Sequence, residues 1–251
     1  MSTILAIRGP RDCTAVPAVA RSADRGPATA SDPGAASAAA VASAGGDRLW
    51  IVTQMNSKDE VRNRFRARRR AMGAVARAAE MALLAGHLVP WLEANAPRRT
   101  VTCFLSYGAE PPTEGLLARL HGAGYTIYVP ICEPERRLSW TRWHPGVEMA
   151  RSSVGPIDEP VGERFGPGLM AQVDVILVPA QAVDADGERL GQGGGYYDRF
   201  ISSLPGPGKR PKLVSILFEH EFVAAGQIPV EPFDQRVEAV VLPSGVRNLT
   251  R

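Results

Sequence analysis

Cysteine is scarce in this sequence, with Cys13, Cys103 and Cys132 the three copies among 251 residues. They form no C-x-x-C pair, so neither a disulfide framework nor a zinc knuckle is indicated, and a reducing, cytoplasmic setting is expected. The histidines lie far apart and have no metal-ligand spacing. No apolar run reaches the ~20 residues of a membrane span, so no membrane partner is expected.

Large apolar residues are sparse in residues 1–54, where "SDPGAASAAAVASAGG" is typical. Such a segment buries too little surface to offset the entropy of ordering it. We therefore predict a disordered low-complexity extension over 1–54 and one α/β domain over 55–251. No apolar stretch follows Arg8, which argues against a secretory signal. Two alternatives stay open: a transit peptide, disfavoured by several aspartates, and a true start at Met55.

A helix is predicted directly after Met55, in "SKDEVRNRFRARRRAM". Ser57 and Glu60 have the spacing of a capping box. Apolar residues at helical spacing are predicted to face the core: Val61, Phe65, Met72 and Val75. A second stripe is basic: Lys58, Arg62, Arg66 and Arg69. The next helix, "MALLAGHLVPWLEAN", is predicted to be interrupted at Pro90.

The rest of the chain alternates between strand and helix patterns. "TVTCFLSY", "YTIYVP", "VDVILVPA", "KLVSILF" and "VEAVVLP" read as strands, and "LSWTRW" as a short hairpin strand. Their order, β-α-β followed by β-loop-α-β-α-β, predicts a three-layer α/β fold with a mostly parallel sheet flanked by helices. Ligands of such sheets bind beyond the carboxyl ends of the strands.

The segment "RLGQGGGYYDRF", residues 189–200, follows the strand "VDVILVPA" after one loop. Glycines let backbone amides approach a ligand, so the segment predicts a phosphate cradle ahead of a helix. It is not the dinucleotide fingerprint, since Tyr196 stands at the third glycine, and it is not a P-loop. The alternative is a tight turn without a ligand. Asp198 is either a Mg²⁺ ligand beside the phosphate or an aspartate favoured by the helix dipole.

These residues resemble the 5-formyltetrahydrofolate cyclo-ligases, also called 5,10-methenyltetrahydrofolate synthetases. The glycine-tyrosine segment is similar to the signature of that family. Further pieces agree in order: K-x-x-x-R at Lys58 and Arg62, "FLSYGAEPPTEGL", "GPIDEP" and "PVEPFDQRVEAVVLP". The resemblance covers about residues 56 to 243.

The resemblance implies an ATP- and Mg²⁺-dependent ligase of folate one-carbon metabolism. ATP phosphorylates the formyl oxygen of 5-formyltetrahydrofolate, N10 attacks the activated carbon, and phosphate leaves. The products are 5,10-methenyltetrahydrofolate, ADP and phosphate. Positioning and charge stabilisation carry such phosphoryl transfer.

The resemblance also implies site residues. ATP would contact two residues of the first helix and the whole glycine segment: Lys58, Arg62, Arg189, Leu190, Gly191, Gln192, Gly193, Gly194, Gly195, Tyr196, Tyr197 and Asp198. The folate would contact Leu105, Glu110 and Gln192, Gly193, Gly194, Gly195 and Tyr196. The metal ligands would be Asp198 and Asp234. Some relatives carry Arg where this chain has Gln192 and Lys where it has Gly194, so the charge placement differs.

Two competing interpretations remain. The cluster "RNRFRARRR" is also the composition of a nucleic-acid-binding arm, although its capping box and apolar stripe favour a packed helix. A family member that keeps the fold and the ATP site but lacks cyclo-ligase activity is the other. We expect small-molecule partners only, no nucleic acid, and a monomer.

Overall fold

The computed structural model describes residues 57–155 and 157–249, so the predicted extension over 1–54 lies outside the described residues. The helices are α1 (Lys58–Ala71), α2 (Ala74–Asn95), α3 (Glu114–Gly122) and α4 (Tyr196–Ser202). The strands are β1 (Thr100–Thr102), β2 (Thr126–Glu133), β3 (Arg137–Trp143), β4 (Met149–Arg151), β5 (Asp158–Pro160), β6 (Val175–Val178), β7 (Ala182–Asp184), β8 (Arg189–Leu190), β9 (Lys212–Ile216), β10 (Phe222–Val223), β11 (Ala239–Leu242) and β12 (Gly245–Asn248).

A seven-stranded sheet forms the centre, in the order β12-β11-β9-β6-β1-β2-β3. The five inner strands pair in parallel, while β3 and β12 are antiparallel edges. The strand β6 is fully buried, as its unbroken apolar run predicts. This confirms the predicted α/β fold with a mostly parallel sheet.

Both faces of this sheet are covered, which gives the three predicted layers. On one face, Leu84 and Leu88 of α2 and Leu117 of α3 pack with Val101 of β1. On the other, Phe200 of α4 and the 3₁₀ helix Pro167–Ala171 pack with β6 and β9. Burial of these faces holds the carboxyl ends of β1, β2 and β6 at one edge.

The helix α1 packs against a second, three-stranded sheet of β10, β7 and β8. The capping box at its start is present, with Glu60 N donating to Ser57 Oγ at 3.3 Å and Ser57 N to Glu60 Oε2 at 2.8 Å. Val61 and Phe65 are buried, as predicted. The prediction for Val75 is wrong: this residue is 85% exposed, because α1 ends at Ala71 and the chain bends by 103° into α2.

The predicted interruption at Pro90 is also wrong, because α2 runs unbroken from Ala74 to Asn95. Pro90 is exposed, and so is Gly86, whose carbonyl has no amide hydrogen to accept at position 90. Leu88 and Leu92, on either side of Pro90, are completely buried. Packing therefore holds both halves of the helix in one line.

The hairpin of β7 and β8 separates β6 from the glycine segment, where a single loop was expected. The helix expected between β9 and β11 is a 3₁₀ turn, Glu219–Glu221, followed by the short strand β10. Among the described residues no single helix is long and apolar enough to cross a membrane; α1 and α2 meet that test only when taken together.

Candidate active site

The glycine segment forms an exposed loop between β8 and α4. Gly193 and Gly195 have φ angles of 100° and 71°, in the left-handed region that favours glycine. Gly194 lies outside that region, and a Cβ there would come within 3.2 Å of the Tyr196 ring. The loop therefore requires glycine at 193 and 195 for its backbone, and at 194 only for space.

Two arginines of α1 bind the carbonyl oxygens of this loop. Arg62 Nε donates to Gly191 O at 3.0 Å, and Arg66 Nη2 donates to Gln192 O at 3.0 Å. The backbone amides from Gln192 to Gly195 donate to no other described residue. Unused amides in successive turn residues attract an anion, and the guanidinium groups add positive charge.

Gln192 also joins the glycine loop to the loop after β1. Its Nε2 donates to Glu110 Oε1 at 2.6 Å, and Glu110 Oε2 accepts from Tyr107 N at 2.9 Å. The Glu110 carboxylate thus lies directly beside the glycine loop. Leu105, on the same loop, is half-buried and packs against the core.

Arg189 and Leu190 lie behind the loop. The guanidinium of Arg189 is buried, forms an ion pair with Asp198, and donates to Pro179 O at 3.2 Å. Leu190 is completely buried beside Val61 of α1. Both residues hold the base of the loop, so neither presents its side chain at the exposed glycines.

Lys58 lies at a different loop from the one Arg62 contacts. Its Nζ is 2.5 Å from Asp234 Oδ2 and 2.9 Å from Glu231 Oε2. Asp234 Oδ2 also accepts from Glu231 N at 2.6 Å, which fixes the loop before β11. Thus Lys58, which is predicted to bind ATP, is paired with Asp234, which is predicted to bind the metal.

The two predicted metal ligands lie on adjoining loops, because Gln235 N donates to Asp198 Oδ1 at 3.2 Å. Every hydrogen bond of the Asp198 carboxylate uses Oδ1, and every one of the Asp234 carboxylate uses Oδ2. Asp198 Oδ2 and Asp234 Oδ1 therefore have no partner among the described residues. Those residues contain no cluster of three or more His, Cys, Asp or Glu side chains. Two carboxylates fit Mg²⁺, which fills its shell with water and substrate phosphate.

The two tyrosines begin α4. Tyr196 is half-buried and packs against the core under the sheet. Tyr197 meets Trp140 edge to face, with ring centroids 6.4 Å apart. Its hydroxyl is buried without a partner among the described residues. Burial raises the pKa of Tyr197 well above its ordinary value, so the hydroxyl keeps its proton at neutral pH.

A cavity of about 660 Å³ opens beside Leu105, at the carboxyl ends of β1 and β2. Its wall is mixed, because the β4–β5 hairpin contributes apolar side chains, Met149 and Ile157, together with the charged Arg151, Asp158 and Glu159. The wall includes Leu105, Tyr107, Glu114, Trp143, Met149 and Glu159. A cavity of this size accommodates a drug-sized organic molecule.

Arg66 is a contact that the sequence analysis missed, since the family resemblance implies no role for it. The signal was its spacing, because Lys58, Arg62 and Arg66 recur every four residues on one helix face. That face is turned toward the protein: the side chains of Lys58 and Arg62 are only 11% and 15% exposed. Arg69, one turn further, is buried and paired with Glu221.

Fold and site together define an α/β enzyme whose glycine loop, with its backbone amides unpaired among the described residues, lies beside the loop that follows β1. The chain belongs to the 5-formyltetrahydrofolate cyclo-ligase family, whose model matches residues 54–243. This confirms the resemblance seen in the glycine-tyrosine segment.

Relatives agree with this assignment. The chain is 32% identical over 149 residues to a 5-formyltetrahydrofolate cyclo-ligase of Escherichia coli K12, covering 59% of this chain and 79% of that one. It is 30% identical over 193 residues to a protein of the same name from Mycolicibacterium smegmatis, covering 74% and 94%. The solved 5,10-methenyltetrahydrofolate synthetase of Aquifex aeolicus shares the fold, with a TM-score of 0.60, 24% identity and coverage of 77% and 93%.

Proposed function

We propose that this protein converts 5-formyltetrahydrofolate to 5,10-methenyltetrahydrofolate with ATP and Mg²⁺, and releases ADP and phosphate. Membership of the cyclo-ligase family supports the folate conversion. The observation that carries the ATP half of the reaction is the glycine loop. Its amides from Gln192 to Gly195 are unused by other described residues, while Arg62 and Arg66 hold its carbonyl oxygens.

The proposed reaction has two steps, phosphoryl transfer and ring closure. The formyl oxygen attacks the γ-phosphorus, an O–P bond forms, and the bond to ADP breaks. N10 then attacks the formyl carbon, a C–N bond forms, the C–O bond breaks to release phosphate, and N10 loses its proton. Charge builds on phosphoryl oxygens in the first step and on the departing phosphate in the second. Fixed amides and guanidinium groups stabilise both without reorganising.

The nucleotide phosphates are assigned to Lys58, Arg62 and the segment from Arg189 to Asp198. Within this set the roles differ. Arg62 and the amides after Gly191 face the ligand, whereas Arg189 and Leu190 support the loop from behind. Arg66 joins the set because it binds Gln192 O beside the same amides.

Asp198 and Asp234 are assigned to Mg²⁺. The unpaired oxygen of each carboxylate supports this assignment. Held by these two carboxylates, the metal would supply positive charge against the triphosphate. On metal binding, the Asp234 carboxylate would contact the metal in place of Lys58. The Lys58 ammonium would then be available to phosphate.

The folate is assigned to the cavity beside Leu105, with Glu110 and Tyr196 at the junction with the glycine loop. A carboxylate suits the donor-rich edge of a pterin. Glu110 is held for this role by Tyr107 N and reaches Gln192 Nε2 of the glycine loop. The formyl group would thereby lie next to the loop that carries the phosphate.

The remaining expectations stand as proposals: a monomer in the cytoplasm, with small-molecule partners and no nucleic acid. The basic helix supports the last point, because Lys58, Arg62, Arg66 and Arg69 all contact other parts of the chain. Four charges that a nucleic-acid arm would present to a backbone are thus engaged with protein.

The test is a turnover assay of the full chain with 5-formyltetrahydrofolate, ATP and Mg²⁺, from which each component is omitted in turn. We expect methenyl product only when all three are present, with one ADP and one phosphate per product. ATP hydrolysis without methenyl formation would identify a family member with altered chemistry. Binding to single-stranded or duplex nucleic acid without folate-dependent turnover would support the other interpretation.

A further inference from the structure

The turn between β2 and β3 carries an arginine with an unusual backbone. In the 3₁₀ segment Pro134–Arg136, Glu135 and Arg136 have φ angles of 61° and 58°. Left-handed backbone is uncommon for residues with a Cβ, and it is favoured in the tight turns of β-hairpins. The β2–β3 hairpin sets this backbone, because Glu133 pairs with Arg137 across the turn, and the turn fixes the direction in which the Arg136 side chain leaves the chain.

This turn directs Arg136 to the glycine loop. Its Nη1 lies 3.9 Å from the point where a Cβ on Gly195 would stand. Arg62, from α1, lies 3.5 Å from the corresponding point on Gly193. Guanidinium groups from two different elements therefore flank the left-handed glycines of one loop, whose amides are unused.

The charge of Arg136 is available to a ligand. The neighbouring cations are neutralised: Arg137 lies 3.7 Å from Glu135, and Arg164 lies 2.7 Å from Glu133. Arg136 forms no ion pair or hydrogen bond with any other residue that the structure describes. An exposed guanidinium beside free backbone amides is the arrangement that binds phosphate oxygens.

We propose that Arg136 is a further nucleotide-binding residue, which contacts the phosphate chain of ATP at the glycine loop. The proposal rests on the function proposed above. Gln192 and Gly194 bring no positive charge to the glycine loop. Arg136, on the β2–β3 turn, thereby supplies one from outside this loop. Two ligands could present oxyanions to Arg136: the phosphates of ATP, which we propose, and a carboxylate of the folate glutamate tail, which is the competing possibility.

The experiment compares Arg136→Ala with Arg137→Ala, a matched arginine of the same turn whose charge is already paired. Calorimetry with Mg²⁺ and a non-hydrolysable ATP analogue, without folate, gives the nucleotide affinity directly. Loss of a charge-assisted hydrogen bond predicts about a tenfold weaker affinity for Arg136→Ala. The KM for ATP should rise in parallel, while the KM for 5-formyltetrahydrofolate stays near the wild-type value. Arg137→Ala should match wild type in all three measurements.

A second variant, Arg136→Gly, guards against a disturbed turn, because glycine adopts the left-handed backbone without strain. It should lose nucleotide affinity as the alanine variant does while melting at or above the wild-type temperature. If both variants bind the analogue like wild type, the proposal is wrong. If only the folate KM rises, the guanidinium binds a folate carboxylate and the proposal is again wrong. If wild type itself fails to bind Mg-ATP, the proposed function fails first, which the wild-type titration reveals independently.

Discussion

At the scale of single residues, the backbone of the glycine loop separates its glycines into two kinds. Gly193 has a φ of 100° and lies 3.5 Å, at its Cβ position, from the Arg62 guanidinium. Gly194 has an ordinary backbone and is limited only by the Tyr196 ring at 3.2 Å. A side chain at 194 therefore requires no left-handed strain.

We predict that Gly193→Ala lowers the free energy of unfolding by about 1–2 kcal/mol and also lowers the affinity for Mg-ATP. Gly194→Ala should cost less stability, since only the Tyr196 ring has to shift. Denaturant unfolding and nucleotide titration measure the two effects. Gly206→Ala, with open space around its Cβ and no left-handed φ, is the control. Equal losses of stability in the Gly193→Ala and Gly194→Ala variants would contradict the conclusion that only Gly193 is required for its left-handed backbone.

The metal assignment predicts that Asp198→Asn and Asp234→Asn each raise the Mg²⁺ concentration at half-maximal turnover by about tenfold or more. Asparagine keeps the shape and the Gln235 or Glu231 amide contact but removes the charge. Mg²⁺-dependent binding of an ATP analogue should shift with turnover. Asp186→Asn, an exposed aspartate outside the site, should leave the Mg²⁺ midpoint unchanged. Wild-type midpoints in both site variants would show that the metal binds elsewhere.

These residue-level features differ in how far the sequence reveals them. The glycine loop is evident from composition, because clustered glycines beside arginine and aspartate have few structural explanations. Asp234 stands in an ordinary-looking segment and is found only through the family resemblance. Arg66 is marked in the sequence only by its four-residue spacing from Arg62, and Arg136 by no pattern, since their positions beside the loop arise when a helix face and a hairpin turn converge in three dimensions.

At the scale of elements, α1 supports the glycine loop, to which the proposal assigns the nucleotide. Arg62 and Arg66 bind the glycine loop, and Arg69, one turn on, forms an ion pair with Glu221 inside the protein and donates to Ala180 O. Glu221 is completely buried and also accepts from Phe218 N at 3.1 Å. This pair ties the end of α1 to the segments that follow β6 and β9.

We predict that Glu221→Gln lowers the free energy of unfolding by about 3–5 kcal/mol, because it leaves the Arg69 guanidinium buried without its counter-charge. The double variant Arg69→Met with Glu221→Gln should recover part of this loss. Chemical denaturation gives both values. Arg68→Ala, on the exposed face of α1, should change stability by less than about 0.5 kcal/mol. A Glu221→Gln protein as stable as wild type would mean that the pair is not a structural tie.

The order and type of most elements follow from hydrophobic periodicity, while their ends follow from packing. The apolar run of β6 predicts a strand buried on both faces, and it is one. The same local reasoning fails at Pro90, where buried Leu88 and Leu92 override the proline. It also fails for the β7–β8 hairpin, which is too short to show a periodic pattern.

At the scale of the whole molecule, the described fold begins at the capping box of α1. Ser57 and Glu60 satisfy each other's backbone amides at the first turn of α1. The first core residue, Val61, follows one turn later and is buried against β7 and β8. Everything that the proposed mechanism uses lies between Lys58 and Asp234.

We therefore predict that a chain beginning at Met55 folds and turns over at the wild-type rate. Residues 1–54 have the composition of a segment that buries little apolar surface, so their removal should shift the melting temperature by no more than about 2 °C. Melting curves and turnover of both lengths test this. A chain beginning at Asn63 is the contrast, because it loses the cap, Val61 and two of the proposed phosphate-binding residues, and it should melt far lower and bind no Mg-ATP. If the chain from Met55 instead aggregates or loses most of its activity, the first 54 residues take part in the fold, and the folded part of the protein begins before the capping box at Ser57.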